Sequence, residues 1–165
     1  MRALKTLLLT LPLTACNGGL NVFTIQDDLA LGAELEQQIE SDPATYPVID
    51  RADNPEAYAA LDRIVARILS SDAVELQDEL VWDFKIIDDD SVVNAFAAPG
   101  GYVWIYTGLI EEMDNEDSFA GVIAHEIAHA DARHSTEQLT RIYGVSLLLD
   151  VVFDNGGGIA GDVAE

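Results

Sequence analysis

His125-Glu126-Ile127-Ala128-His129 decides the reading of this chain, because H-E-x-x-H on a helix is a pattern whose spacing is itself a mechanism. Residues four apart on an α-helix lie about one turn above each other, so two imidazoles on one face can hold one zinc ion. Glu126, next to the first of them, is then placed to act as a general base toward water. Apolar Val122, Ile123, Ile127 and Ala130 surround the motif, as expected of a helix sunk in a core. Two histidines buried there without partners would be costly.

Outward from the motif, Asp114 or Asn115 is placed to cap this helix, and Glu116 and Asp117 occupy its first turn, where the helix dipole favours negative charge. Upstream, Val92 to Ala97 reads as a strand, Pro99-Gly100-Gly101 as a turn and Tyr102 to Thr107 as a second strand, making a hairpin. Before it, Trp82, Phe84 and Ile86 alternate with Asp83, Lys85 and Ile87, the period-two pattern of a strand with one buried face. Asp88-Asp89-Asp90 ends that strand as a solvated turn, since it lacks the ligand spacing and central glycine of a calcium loop. Two amphipathic helices come first. One runs from about Thr24 to Glu40, and the other starts at Asn54-Pro55-Glu56, with Asn54 as cap and Tyr58, Leu61, Val65, Ile68 and Leu69 as its apolar stripe. Beyond Ser135 a helical pattern resumes through Leu139 and Ile142, an apolar run from Val145 to Phe153 follows, and Gly156-Gly157-Gly158 breaks it.

A chain of 165 residues, 49% hydrophobic, has enough apolar surface for one domain core. The first 15 residues read as an export signal: Arg2 and Lys5 precede an apolar stretch, Leu7 to Leu13, that is too short to span a bilayer. It runs into Leu13-Thr14-Ala15-Cys16, which resembles a bacterial lipobox and marks Cys16 for lipidation, with ordinary secretory cleavage near the same point as the alternative. Cys16 is the only cysteine and so has no internal disulfide partner. Residues 16–21 then form a short tether, and acyl chains attach the protein to the membrane. Residue 17 is Asn rather than Asp, which by resemblance to enterobacterial sorting rules points to the outer membrane. With 30 acidic against 8 basic residues the net charge is −22. Such a surface repels polyphosphate, so nucleic acid is excluded as a partner.

Asn94-Ala95-Phe96-Ala97, Pro99-Gly100-Gly101, Thr107-Gly108-Leu109 and Ala124 to His129 followed by Arg133-His134 together resemble the M48 family of zinc metallopeptidases, over roughly residues 22 to 143. The resemblance implies an α+β, zincin-like domain, mainly helical, with a small sheet or β-hairpin beside the H-E-x-x-H helix. It implies that His125 and His129 are zinc ligands, that Glu126 is the catalytic base and that Asn94, Ala95 and Phe96 border the substrate cleft. It also implies a periplasmic, membrane-attached protease of unfolded or misassembled envelope proteins. An exposed strand edge there can pair with an extended substrate backbone, which suits many sequences.

One part of the family pattern is missing. A zinc hydrolase needs three protein ligands, and the family takes its third from a glutamate in an E-x-x-x-D-like segment on a later helix. No such segment is visible. Glu137 lies only eight residues after His129, while Asp150, Asp154, Asp162 and Glu165 lack the expected surroundings, so the domain, residues 22–165, is expected to be incomplete at its C-terminus. His134 falls one residue short of the metzincin spacing, and Ala132 stands where that motif has glycine. If the helix continued, His134 would sit about 140° round the axis from His129; it is expected to be a supporting histidine, paired with an acid. Asp131 and Arg133 are expected to be solvated or in local ion pairs. Alternative readings are a non-catalytic envelope lipoprotein that binds clients on the same scaffold, and a zinc hydrolase of cell-wall amides.

Overall fold

A computed structural model describes residues 20–153, with side chains to residue 144. Its centre is a three-stranded sheet of β1 (Asp83–Ile87), β2 (Ala95–Ala98) and β3 (Tyr102–Tyr106), in the order β1-β3-β2. β3 runs parallel to β1, with Asp83 opposite Tyr102, and antiparallel to β2, with Ala95 opposite Ile105. The helices are α1 (Ile25–Glu40), α2 (Pro55–Leu69), α3 (Thr107–Glu111), α4 (Glu116–Asp131) and α5 (His134–Phe153). The α+β expectation holds, and the hairpin proves to be two strands of a sheet that also pairs with the Trp82–Ile87 region.

Alternation along the strands gives the sheet two apolar faces. Phe84, Ile86, Val103 and Ile105 meet Tyr58, Leu61, Ile64 and Val65 of α2 and Ile123 and Ile127 of α4. On the other face Ile87, Ala98, Tyr102 and Trp104 pack with Ile39 and Leu35 of α1. The middle strand β3 is therefore covered on both sides, which explains why Tyr102 to Ile105 is continuously buried. Lys85, on the α1 face, is neutralised by Glu36 and Glu40.

Local chemistry sets the boundaries. Thr24 caps α1 in a reciprocal box with Asp27, so the helix begins at Ile25. Asn54 stands at the cap position of α2 but makes no side-chain cap; its amide donates instead to the Asp50 carbonyl. Trp82 has φ 54 and its indole N–H donates to the Gln77 carbonyl, so it precedes β1 rather than opening it. The strand expected from Val92 starts only at Ala95, because Asp89 turns the chain: its carboxylate accepts the Ser91 N–H and its carbonyl the Val92 N–H. Pro99–Gly101 is a 3-10 turn in which Gly100 and Gly101 have φ 80 and 90, angles that suit glycine.

α1 lies on that turn at Gly32. A Cβ on Gly32 would come 2.1 Å from the Pro99 carbonyl oxygen and 2.5 Å from the Tyr102 ring. Gly32→Ala gains up to about 1 kcal/mol of helix propensity, but overpacking against a backbone atom costs about 1–3 kcal/mol or more. Net destabilisation is expected in urea unfolding; an unchanged midpoint would contradict this packing. No helix among the described residues is long and apolar enough to cross a membrane.

Candidate active site

α4 carries the motif on a helix fixed at both ends. Asn115 caps it by accepting the Ser118 N–H at 2.9 Å, with Glu116 and Asp117 in the first turn. At the far end the Asp131 carboxylate accepts the backbone N–H groups of Glu75, at 3.1 Å, and Leu76, at 2.7 Å. Asp131 thus ties α4 to the loop after α2, a long-range role in place of the local one expected. Ile123 and Ile127 are fully buried against the sheet, and this orients the rest of the helix.

His125 and His129 point their Nε2 atoms at each other across 3.0 Å, with the rings perpendicular and their centroids 4.4 Å apart. Two nitrogens each about 2.0–2.1 Å from a tetrahedral zinc ion stand about 3.3 Å apart. The pair therefore fits two corners of such a site. Among the described residues no group of three His, Cys, Asp or Glu side chains could hold a metal ion. Glu137 faces Arg141 on its own helix, and Asp154, Asp162 and Glu165 lie outside the described residues, as does Cys16.

Glu126 is 9% exposed. Burial pushes its carboxyl above the ordinary carboxylate range, opposed by His129 and His125 and by a hydrogen bond from the Ala97 backbone. That bond follows from the ladder. Tyr106 donates to the Asn94 carbonyl at 3.1 Å. Antiparallel pairs alternate, so Asn94, Phe96 and Ala98 turn their backbone groups toward β3, while Ala95 and Ala97 turn theirs to the open edge. Ala97 spends its outward N–H on Glu126, and its carbonyl accepts the Ser135 hydroxyl at 3.5 Å.

The three candidate substrate contacts consequently differ. Ala95 packs its methyl toward α4 and presents both backbone groups at the edge, where no hydrogen-bond partner occurs among the described residues. Phe96 points to the opposite face, stacked on Trp104 at 5.1 Å between centroids. Asn94 is exposed at the strand's start.

α4 ends at Asp131 rather than continuing. Arg133 adopts φ 56, and α5 begins at His134 with its ring folded back onto the motif. His134 Nδ1 is 2.7 Å from His129 Nδ1, so its partner is a histidine and not the acid expected. Arg133 reaches across to α1, where it pairs with Asp28, and donates to the Phe23 carbonyl at 2.7 Å. Neither contact was visible in the sequence, since the partners lie more than 100 residues away.

The sequence profile described as peptidase family M48 matches residues 55–163. Among curated proteins the chain is similar to the mitochondrial metalloendopeptidase OMA1 of Schizosaccharomyces pombe, 37% identical over 54% of this chain and 25% of that protein. It is also similar to the putative beta-barrel assembly-enhancing protease of Vibrio cholerae, 32% identical over 69% of this chain and 22% of the relative. With the Escherichia coli beta-barrel assembly-enhancing protease it shares 45% identity over 32% of this chain and 11% of that protein. The matched stretches span a quarter or less of these relatives. A profile match over well more than half the chain, on a helix and hairpin arranged as described, means that the chain belongs to peptidase family M48.

Proposed function

We propose that this chain is the peptidase domain of a zinc-dependent endopeptidase of the bacterial envelope that cleaves unfolded or misassembled proteins. The observation that carries the reading is the convergence of His125 Nε2 and His129 Nε2 at 3.0 Å beside the buried Glu126 carboxyl. His125 and His129 would hold the ion together with a third donor from outside the described residues, and the ion when bound supplies Lewis-acid polarisation of a carbonyl and acidifies water. Glu126 takes a proton from the attacking water as the water oxygen bonds to the scissile carbonyl carbon. The C–N bond then breaks, and the same carboxyl delivers that proton to the departing nitrogen. Ala95 offers an N–H and a carbonyl to an extended substrate, a contact to the main chain that tolerates many side chains. Asn94 flanks that contact, and Phe96 supports it from behind through Trp104.

The names of the bacterial relatives, beta-barrel assembly-enhancing proteases, support envelope proteins as the substrate class. Lipidation at Cys16 and attachment to the outer membrane belong to the same proposal. Labelled palmitate incorporated by the wild-type chain and lost in Cys16→Ala is the expected result, and equal labelling of both would remove the anchor.

Cleavage of casein that stops on chelation and returns with zinc is the expected outcome for the activity; cleavage indifferent to chelation would overturn it. A second reading, a client-binding scaffold without catalysis, draws on the described residues' lack of a third metal donor. It predicts retention of unfolded casein without any cleavage product.

A further inference from the structure

The turn between α4 and α5 has a geometry that must be held in place. Arg133 sits at φ 56, a region that residues with a Cβ adopt only where their surroundings fix them. Its guanidinium Nε donates to Asp28, which is 1% exposed on α1, and a second nitrogen donates to the Phe23 carbonyl at 2.7 Å. The first turns of α5 are fastened to the same region of the chain. Buried Thr136 accepts from the Asn21 amide at 2.9 Å, and buried Thr140 accepts the Val22 N–H at 3.0 Å. His134, between the clamp and these threonines, has little freedom to leave.

Its ring is set against one atom. His134 Nδ1 lies 2.7 Å from His129 Nδ1, while His129 Nε2 is the nitrogen that faces His125. Each neutral imidazole carries one proton. For His129 Nε2 to offer a lone pair toward a metal, its proton must sit on Nδ1, and the acceptor within reach there is His134 Nδ1. His134 then carries its own proton on Nε2. A metal-binding histidine is commonly fixed in tautomer and ring orientation by such a contact on its second nitrogen.

We infer that His134 is a positioning residue for the metal centre: it accepts the His129 Nδ1 proton, and the Arg133–Asp28 clamp holds it where it can do so. This rests on the zinc site proposed above. The arrangement also assigns a purpose to the left-handed Arg133. A helix continued past Asp131 would carry residue 134 round to another face, and the break at Ala132–Arg133 returns it to His129.

The test uses the full chain and two readouts, zinc affinity against a competing chelator and imidazole 15N spectra of the metal-free protein. His134→Phe, which has a ring but no acceptor, is expected to bind zinc about 10–100-fold more weakly. The 15N signals of His129 are expected to change from a fixed Nδ1–H tautomer to an averaged pair. His134→Asn, whose carbonyl can accept, should recover most of the affinity. Arg133→Gly, which tolerates the left-handed turn but removes the clamp, should weaken zinc in the same direction and carries the test if His134→Phe does not fold. Affinity within twofold of wild type in both His134→Phe and Arg133→Gly, or a His129 spectrum that His134→Phe leaves unchanged, would overturn the inference. His125→Ala separates the two claims. If it loses zinc while the His134 and Arg133 variants do not, the metal site stands and the positioning role falls; a wild-type chain that binds no zinc sinks both.

Discussion

Glu126→Gln is expected to lower peptide-bond cleavage by about 10²–10⁴-fold, the usual contribution of a positioned general base, while leaving zinc binding in place. Glutamine keeps the shape and the contact with Ala97 but cannot take a proton from water. The change also removes a charge that is costly where it sits. In the metal-free chain, burial raises the Glu126 pKa, so the folded state favours the protonated form. The stability this contributes is present below the unfolded carboxyl pKa and is lost as the pH rises through the higher folded value. At neutral pH Glu126→Gln should therefore unfold at an equal or higher urea midpoint than the metal-free wild type. Full activity in this variant, or a fold that collapses without the carboxylate, would contradict the role given to Glu126.

His125→Ala is expected to abolish stoichiometric zinc binding and, with it, all measurable cleavage. Among the described residues this ring has one hydrogen-bond partner, the imidazole of His129, and it is exposed. Its removal should cost the fold little, within roughly 0.5 kcal/mol of wild type as for most surface positions. His129→Ala should lose zinc as well, but with a wider structural effect, because His129 contacts His125 on one side and His134 on the other. Circular dichroism of a folded His125→Ala chain that still carries one zinc would place the metal somewhere else.

Periodicity made most of the fold legible. The spacing of Ile123, Ile127 and Ala130 fixed which side of α4 is buried, and alternation along Trp82–Ile87 and the Pro99-Gly100-Gly101 turn ahead of Tyr102 marked strands whose faces the structure then fills from α1, α2 and α4. The elements that differed did so for local reasons. A side chain capping the Asp89 turn delayed β2, and the positive φ of Trp82 shortened β1. Sheet order could not be read from pattern, because the parallel pairing of β1 with β3 joins residues about 20 positions apart with no short-range signal.

Within the site, the pairing of His125 with His129 was legible because helix geometry alone puts them together. The positions of Asp131, Arg133 and His134 were not. Each depends on a partner distant in sequence or on a left-handed residue that sequence alone does not mark, since arginine rarely adopts it. Phe96 illustrates the same limit. Strand alternation says that it faces opposite to Ala95, but only the packing of Trp104 shows that it faces away from the histidines.

Zinc content of the purified chain, combined with X-ray absorption at the zinc edge, tests the central claim most directly. One zinc per chain with two imidazole nitrogens at about 2.0–2.1 Å, falling to none in His125→Ala, is the expected result. A folded chain without zinc, a zinc shell that lacks imidazole, or a shell with three imidazoles that places His134 on the metal would contradict the account.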